Sequence, residues 1–158
     1  MSTFTVTNLP INYQTLEDLG DLGQTSWGEL SLVEEVQARI DENLSESPFY
    51  GVYDGRRLVA AMHLEFVPAA ADHFFNPRCD HLELSRLAVL PGYRRRQLGS
   101  ALVAHAQSLG LPVRTNALCG THAFWMKLGF ATCKANTSGE PFYAWMPDDE
   151  EYRWLKCE

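Results

Sequence analysis

The segment Glu83-Leu-Ser-Arg-Leu-Ala-Val-Leu90-Pro91-Gly92-Tyr93-Arg94-Arg95-Arg96-Gln97-Leu98-Gly99-Ser100-Ala-Leu102 limits the folds open to this chain more than any other stretch. It predicts a buried strand ending at Leu90, a tight turn at Pro91-Gly92, a basic loop, and a helix opening near Leu98. A strand that feeds a loop of open backbone N–H groups into a helix N-terminus is suited to hold phosphate. Three consecutive arginines at its mouth favour an anionic ligand; the plainer alternative is a solvated charged loop.

The surroundings make that basic run stand out. Formal net charge is −7, which argues against a general nucleic-acid or anionic-membrane binder. With 158 residues the chain is long enough for one domain with a proper core. No apolar run approaches a membrane span and no basic-then-apolar leader opens the sequence, so a cytoplasmic location is expected. The cysteines (Cys79, Cys119, Cys133, Cys157) show no CxxC spacing and read as reduced thiols.

Around this centre, Thr3 to Thr7 reads as a first strand. Thr15-Leu-Glu-Asp18 resembles a capping box before a short helix interrupted by Gly20 and Gly23. Ser31-Leu-Val-Glu34 opens a better helix, with Leu32, Val36, Ile40 and Leu44 on one face and Ser47-Pro48 as its stop. Phe49–Tyr53 and Arg57–Val67 form a hairpin about Asp54-Gly55. In the second strand His63 and Glu65 share a face with valines, which fits a cleft wall and an exposed edge equally well.

Residues 68–80 read as a loop, followed by a strand over His81–Leu90. A helix carries the stripe Leu98, Ala101, Leu102, His105 and Leu109 and ends at Gly110. Pro112–Leu118, a short helix over Thr121–Leu128, and strands at Phe130–Ala135 and Pro141–Met146 complete an α/β (α+β) sheet domain.

The loop lacks the lysine of a Walker motif and the early GxGxxG of a dinucleotide fold. What remains, Arg94-Arg95-Arg96-Gln97-Leu98-Gly99 after Leu87-Ala-Val-Leu-Pro, resembles motif A of the GNAT (Gcn5-related) N-acetyltransferases, Arg/Gln-x-x-Gly-x-Gly/Ala. Phe124-Trp-Met-Lys-Leu-Gly-Phe130 resembles the late FYEKLGF segment of that family, and Asn116 its asparagine. More narrowly, Ser47-Pro-Phe-Tyr-Gly51, Leu87–Tyr93 and Val113–Asn116 resemble the small YlbP-like branch. Nearly the whole chain is covered.

The resemblance implies a mixed, mostly antiparallel twisted sheet flanked by helices, with splayed central strands. It implies one domain over residues 1–147, leaving 148–158 as an acidic and aromatic C-terminal extension. It also implies acetyl-coenzyme A as donor. Leu87, Ala88 and Val89 would pair with pantetheine and the acetyl oxygen. Arg94, Arg95, Arg96, Gln97, Leu98, Gly99 and Ser100 would take the pyrophosphate, and Asn116 would assist. Gln97 replaces the usual glycine, and Trp125 the tyrosine that protonates the leaving thiolate; an indole N–H is far too weak an acid for that.

A small-molecule or protein amine attacking a thioester must lose a proton, so a basic group is required. Glu83 is the first choice, against a structural carboxylate paired with Arg86 or a neighbour. His63 and Glu65 are reserves better read as structural. Tyr143, Cys119 and His122 are the candidate acids. Arg114 at a strand end suits an acceptor carrying carboxylate or phosphate.

No metal is expected, although His73, Cys79, Asp80 and His81 lie close in sequence. Phe74 and Phe75 are candidates to line an acceptor pocket. Tyr152 and Trp154 would dock on the body or on a second subunit of a homodimer. Two rival readings stay open: a non-catalytic acyl-CoA-binding sensor with the same fold, and RNA binding through Tyr93–Arg96, which the acidic balance disfavours.

Overall fold

The computed structural model describes residues 4–22, 31–116, 121–135, 139 and 141–157. It divides into two compact units, Met1–His63 with Arg86–Leu102, and Leu64–Ser85 with Val103–Glu158.

In the first unit, β1 (Thr7–Asn8) pairs antiparallel with β2 (Phe49–Asp54). β2 in turn pairs antiparallel with β3 (Arg57–Val67), Phe49 opposite His63 and Asp54 opposite Arg57. Gly55 turns the hairpin at φ 63°, as the Asp-Gly pair predicts. β2 needs glycine at position 51: a Cβ there would stand 2.7 Å from Leu58 Cδ1 and 3.0 Å from the Ala60 carbonyl oxygen.

α1 (Tyr13–Leu22) starts earlier than its sequence signal suggests. Asn12 caps it, its side-chain oxygen accepting from the Thr15 N–H at 2.9 Å. Thr15 is buried within the first turn rather than serving as the cap, and Gly20 is carried inside the helix. α2 (Ser31–Asp41) presents buried Val36. The predicted first strand is also corrected, from Thr3–Thr7 to Thr7–Asn8 among the described residues.

β3 is buried without interruption from Leu58 to Leu64, on both faces, so its alternation carries no inside-outside signal until Glu65 and Phe66 emerge. His63 is buried with it. Its Nε2 lies 3.1 Å from Glu35 Oε2, and its ring meets Phe49 edge-on at 5.1 Å. A buried polar ring is tolerable because α2 supplies the carboxylate.

In the second unit, β5 (His81–Val89) pairs in parallel with β6 (Val113–Thr115) over Leu82–Leu84. The ladder stops at Leu84–Thr115, where the Thr115 hydroxyl donates to the Leu84 carbonyl at 2.7 Å. β8 (Pro141–Trp145) runs antiparallel to β6 and to β7 (Ala131–Ala135). β3 lies beside β5, and β3, β5 and α3 (Leu98–Ser108) each contribute residues to both units.

The predicted loop 68–80 contains a short strand, β4 (Phe75–Asn76), paired with β9 (Lys156–Cys157). The C-terminal extension is therefore tied into the second unit. Tyr152 is buried there, whereas Trp154 is 75 % exposed. Cys79 is a free thiol pushed up to about 11 by burial and then by the charges of Asp80, Glu151 and Asp72. Cys133 is disulfide-bonded, contrary to the expectation of reduced thiols.

The Glu35 carboxyl is held below its usual value of 4.5, first by its hydrogen bond with His63 and against the opposing effect of burial. A depressed folded-state value contributes stability that is present in full above about pH 4.5 and is lost as pH falls through the lower value. Glu35→Gln should therefore cost about 0.5–1 kcal/mol near neutrality, after allowance for solvent screening. In thermal melts from pH 6 to pH 3, the gap between variant and wild type should close toward the acid end.

Candidate coenzyme loop and carboxylate cluster

β5 ends at Val89, and the Leu90 N–H donates to the Val59 carbonyl at 2.9 Å, which fixes where the loop begins. Pro91–Tyr93 form a single 3-10 turn, with the Tyr93 N–H bonded to the Leu90 carbonyl at 2.8 Å. The Arg94 N–H reaches the Pro91 carbonyl at 3.4 Å, and the Arg96 N–H the Tyr93 carbonyl at 3.2 Å. Of the residues expected to meet phosphate, Arg94 and Arg96 thus have their backbone N–H groups already engaged, which leaves each its guanidinium.

Gln97 then takes φ 59°, in the left-handed region where the resemblance expects glycine. Its carbonyl accepts the first helical hydrogen bond, from the Ala101 N–H at 3.0 Å. The N–H groups of Leu98, Gly99 and Ser100 consequently open α3 with no partner inside the helix. Leu98 is buried and anchors the turn; Arg94, Arg95, Arg96 and Gln97 are exposed.

The three arginines differ in their attachments. Arg94 Nε donates to the Val89 carbonyl at 3.3 Å, returning the side chain to the strand end. Arg96 lies over the Tyr93 ring, 4.8 Å from its centroid. Arg95 makes no ion pair or ring contact among the described residues. Leu87, Ala88 and Val89 occupy the last part of β5, beyond the point where the β6 ladder stops.

Glu83 and Asn116 belong to the second unit. Asn116 is exposed just after β6. Glu83 Oε2 stands 2.5 Å from Arg114 Nη2, and the same nitrogen meets Asp72 Oδ2 at 2.7 Å. The Arg114 guanidinium also lies 4.7 Å from the Phe74 centroid. Arg114 is only 15 % exposed, whereas Glu83 keeps 37 %. The strand-end arginine read as an anchor for anionic acceptors is therefore already neutralised by two carboxylates. Glu83 pairs with Arg114 and not with Arg86 in the described contacts.

Phe74 and Phe75 are buried against each other edge-on at 4.8 Å and pack into the core with Ala144, rather than lining an open pocket. His81 is also buried; its Nδ1 lies 3.0 Å from the Cys79 carbonyl, and its Nε2 3.8 Å from Asp72 Oδ1. His73 turns instead to Arg78 at 3.0 Å, so the two histidines of this stretch have different partners.

α4 (His122–Lys127) buries Trp125 against Phe130 and Tyr143, at 5.1 and 6.4 Å between ring centroids. The Trp125 indole N–H donates to Thr121 Oγ1 at 3.2 Å. Two candidate acids meet each other, His122 Nδ1 lying 3.0 Å from the Tyr143 hydroxyl. Cys119, the third, lies outside the described residues.

Sequence reasoning missed Asp72 and Asp54. Asp72 sits in the aperiodic loop yet shares Arg114 with Glu83. Asp54 was legible only as a turn residue, but it accepts from the Tyr93 hydroxyl at 2.5 Å. An acidic residue at a hairpin tip carries no pattern that would name its partner.

From Leu84 to Ser100 the chain thus runs through a strand that leaves its ladder, three exposed arginines, a left-handed turn and an open helix start. The chain belongs to the GNAT acetyltransferase family: the family's acetyltransferase (GNAT) domain matches residues 45–132, and the chain is an acyltransferase of that N-acetyltransferase class. An uncharacterized N-acetyltransferase of Brevibacillus brevis is 45 % identical over 151 residues, covering 94 % of this chain and 97 % of that protein.

The crystal structure of the Bacillus subtilis N-acetyltransferase YlbP in complex with coenzyme A superposes with a TM-score of 0.75. It is 44 % identical and covers 92 % of this chain and 98 % of that one. The Escherichia coli ribosomal-protein-S18-alanine N-acetyltransferase, 16 % identical with a TM-score of 0.64 over 94 % and 97 % of the chains, shares the fold. Among the described residues no helix is long and apolar enough to cross a membrane.

A non-glycine residue in the left-handed region costs about 1–2 kcal/mol, and glycine returns about 0.4–1 kcal/mol of that through unfolded-state entropy. Gln97→Gly should accordingly raise stability by about 0.5–1 kcal/mol in urea unfolding, and Gln97→Val should lower it. A Gln97→Gly variant less stable than wild type would contradict the backbone assignment.

Proposed function

We propose that this chain is a cytoplasmic acetyltransferase that takes acetyl-coenzyme A as donor and passes the acetyl group to a primary amine of a small molecule or protein. Residues 1–147 are its catalytic domain in this reading, with 148–158 an extension. The observation that carries it is the turn at Gln97, which leaves the Leu98, Gly99 and Ser100 N–H groups open at the start of α3 beside Arg94–Arg96. Those amides and the helix dipole suit a pyrophosphate, and the arginines add charge-assisted bonds. The coenzyme A complex of the 44 % identical YlbP supports the same ligand class.

In the proposed reaction the amine nitrogen attacks the thioester carbonyl carbon, the C–S bond breaks and the thiolate leaves. Backbone N–H groups of Leu87–Val89 polarise the carbonyl oxygen as charge develops on it. Glu83 receives the ammonium proton. Arg114 supports the role by fixing Oε2. Trp125 takes no part as an acid, since its N–H is weakly acidic and already bonded to Thr121.

Thiol release from acetyl-CoA, measured across a panel of primary amines, tests the assignment. Glu83→Gln keeps an acceptor for Arg114 and should leave CoA-induced thermal stabilisation intact, while turnover falls by about 10²–10⁴-fold. Undiminished turnover in this variant would remove Glu83 as the base. Failure of every CoA derivative to raise the melting temperature, with ATP and NAD as comparisons, would contradict the donor assignment.

A further inference from the structure

We propose that Tyr93 and Asp54 form a latch that positions Arg96, and with it the arginine loop, for the phosphates of coenzyme A. The inference rests on the coenzyme reading above and assigns what holds that loop in place. Tyr93 and Asp54 are positioning residues; Arg96 is the group they hold.

Tyr93 closes the 3-10 turn and is the last residue before the arginines. Among the described residues Arg96 has two attachments, both to Tyr93: its guanidinium rests on the ring at 4.8 Å, and its backbone N–H donates to the Tyr93 carbonyl at 3.2 Å. Tyr93 itself is fixed from outside the loop. Its hydroxyl donates to Asp54 Oδ2 at 2.5 Å, across 39 residues of sequence. The carboxylate is well placed to be an anchor, because Asp54 pairs with Arg57 at the tip of the β2–β3 hairpin and Gly55 sets a tight turn. A phenol is protonated through the neutral range and can donate this bond, which in turn raises the Tyr93 pKa.

Without this anchor the exposed Arg94–Gln97 segment would be tied only to strand end and helix start. Ordering an exposed arginine at the moment of phosphate binding costs affinity, and holding it beforehand reduces that cost. A guanidinium stacked on a ring keeps its N–H edge available for phosphate oxygens while its face is occupied. Arg94 and Arg95 have no equivalent support, which singles out Arg96 as the arginine whose position depends on a residue distant in sequence.

Isothermal titration of CoA into wild type, Tyr93→Phe, Asp54→Ala, Asp54→Asn and the Tyr93→Phe/Asp54→Ala double variant tests the latch. Loss of the anchoring hydrogen bond should weaken CoA by about three- to tenfold in each of Tyr93→Phe and Asp54→Ala. The double variant should be no weaker than either alone, because both remove the same bond. Asp54→Asn keeps a carbonyl acceptor and should recover most of the loss. Phosphate-free pantetheine should bind all five proteins alike, which a general loss of structure would not allow.

CoA affinities within twofold of wild type in both single variants, or losses that multiply in the double variant, would overturn the latch while leaving the coenzyme reading intact. Absence of CoA binding by wild type would overturn both.

Discussion

The proposed pyrophosphate site depends on one backbone constraint, the left-handed conformation of Gln97 at φ 59°. It ends the run of 3-10 bonds through Arg96 and begins α3 within a single residue, so that three successive amides lie at the helix start with no intrahelical acceptor. Leu98, buried directly after it, holds the turn from the core side. The residue is a glutamine and not a glycine, so packing on either side must impose a conformation that the residue itself disfavours.

Charge is organised differently in the two units. In the first, the arginines of the loop remain exposed, and the carboxylates of Asp18 and Asp54 accept from the Tyr53 and Tyr93 hydroxyls. In the second, Arg114 is drawn inward between Glu83 and Asp72 and over Phe74. Removing the guanidinium would leave two partly buried carboxylates facing each other, at a cost of about 1–3 kcal/mol, between the values for exposed and fully buried pairs. The second cluster is thus part of the scaffold as well as the setting of the proposed base.

The loop and the elements around it were legible because their signals are local. Asp54-Gly55 names a hairpin, Pro91-Gly92 a turn, and Leu98 with Leu102 a buried helical stripe. Long-range partners were not legible. Nothing in the sequence near Arg114 points to Asp72, and nothing near Tyr93 points to Asp54. Capping at Asn12 rather than Thr15 was missed because both residues are competent caps and only the fold of the chain before α1 decides between them. The two-sided burial of β3 likewise follows from what covers the sheet, not from the strand's own pattern.

An amide-resolved NMR titration with coenzyme A reads the backbone groups proposed to hold the thioester and the pyrophosphate. Saturable shifts concentrated in Leu87–Val89 and Gln97–Ser100, following one binding curve, are expected. Saturable binding with those amides unmoved and the shifts elsewhere would contradict the proposed site.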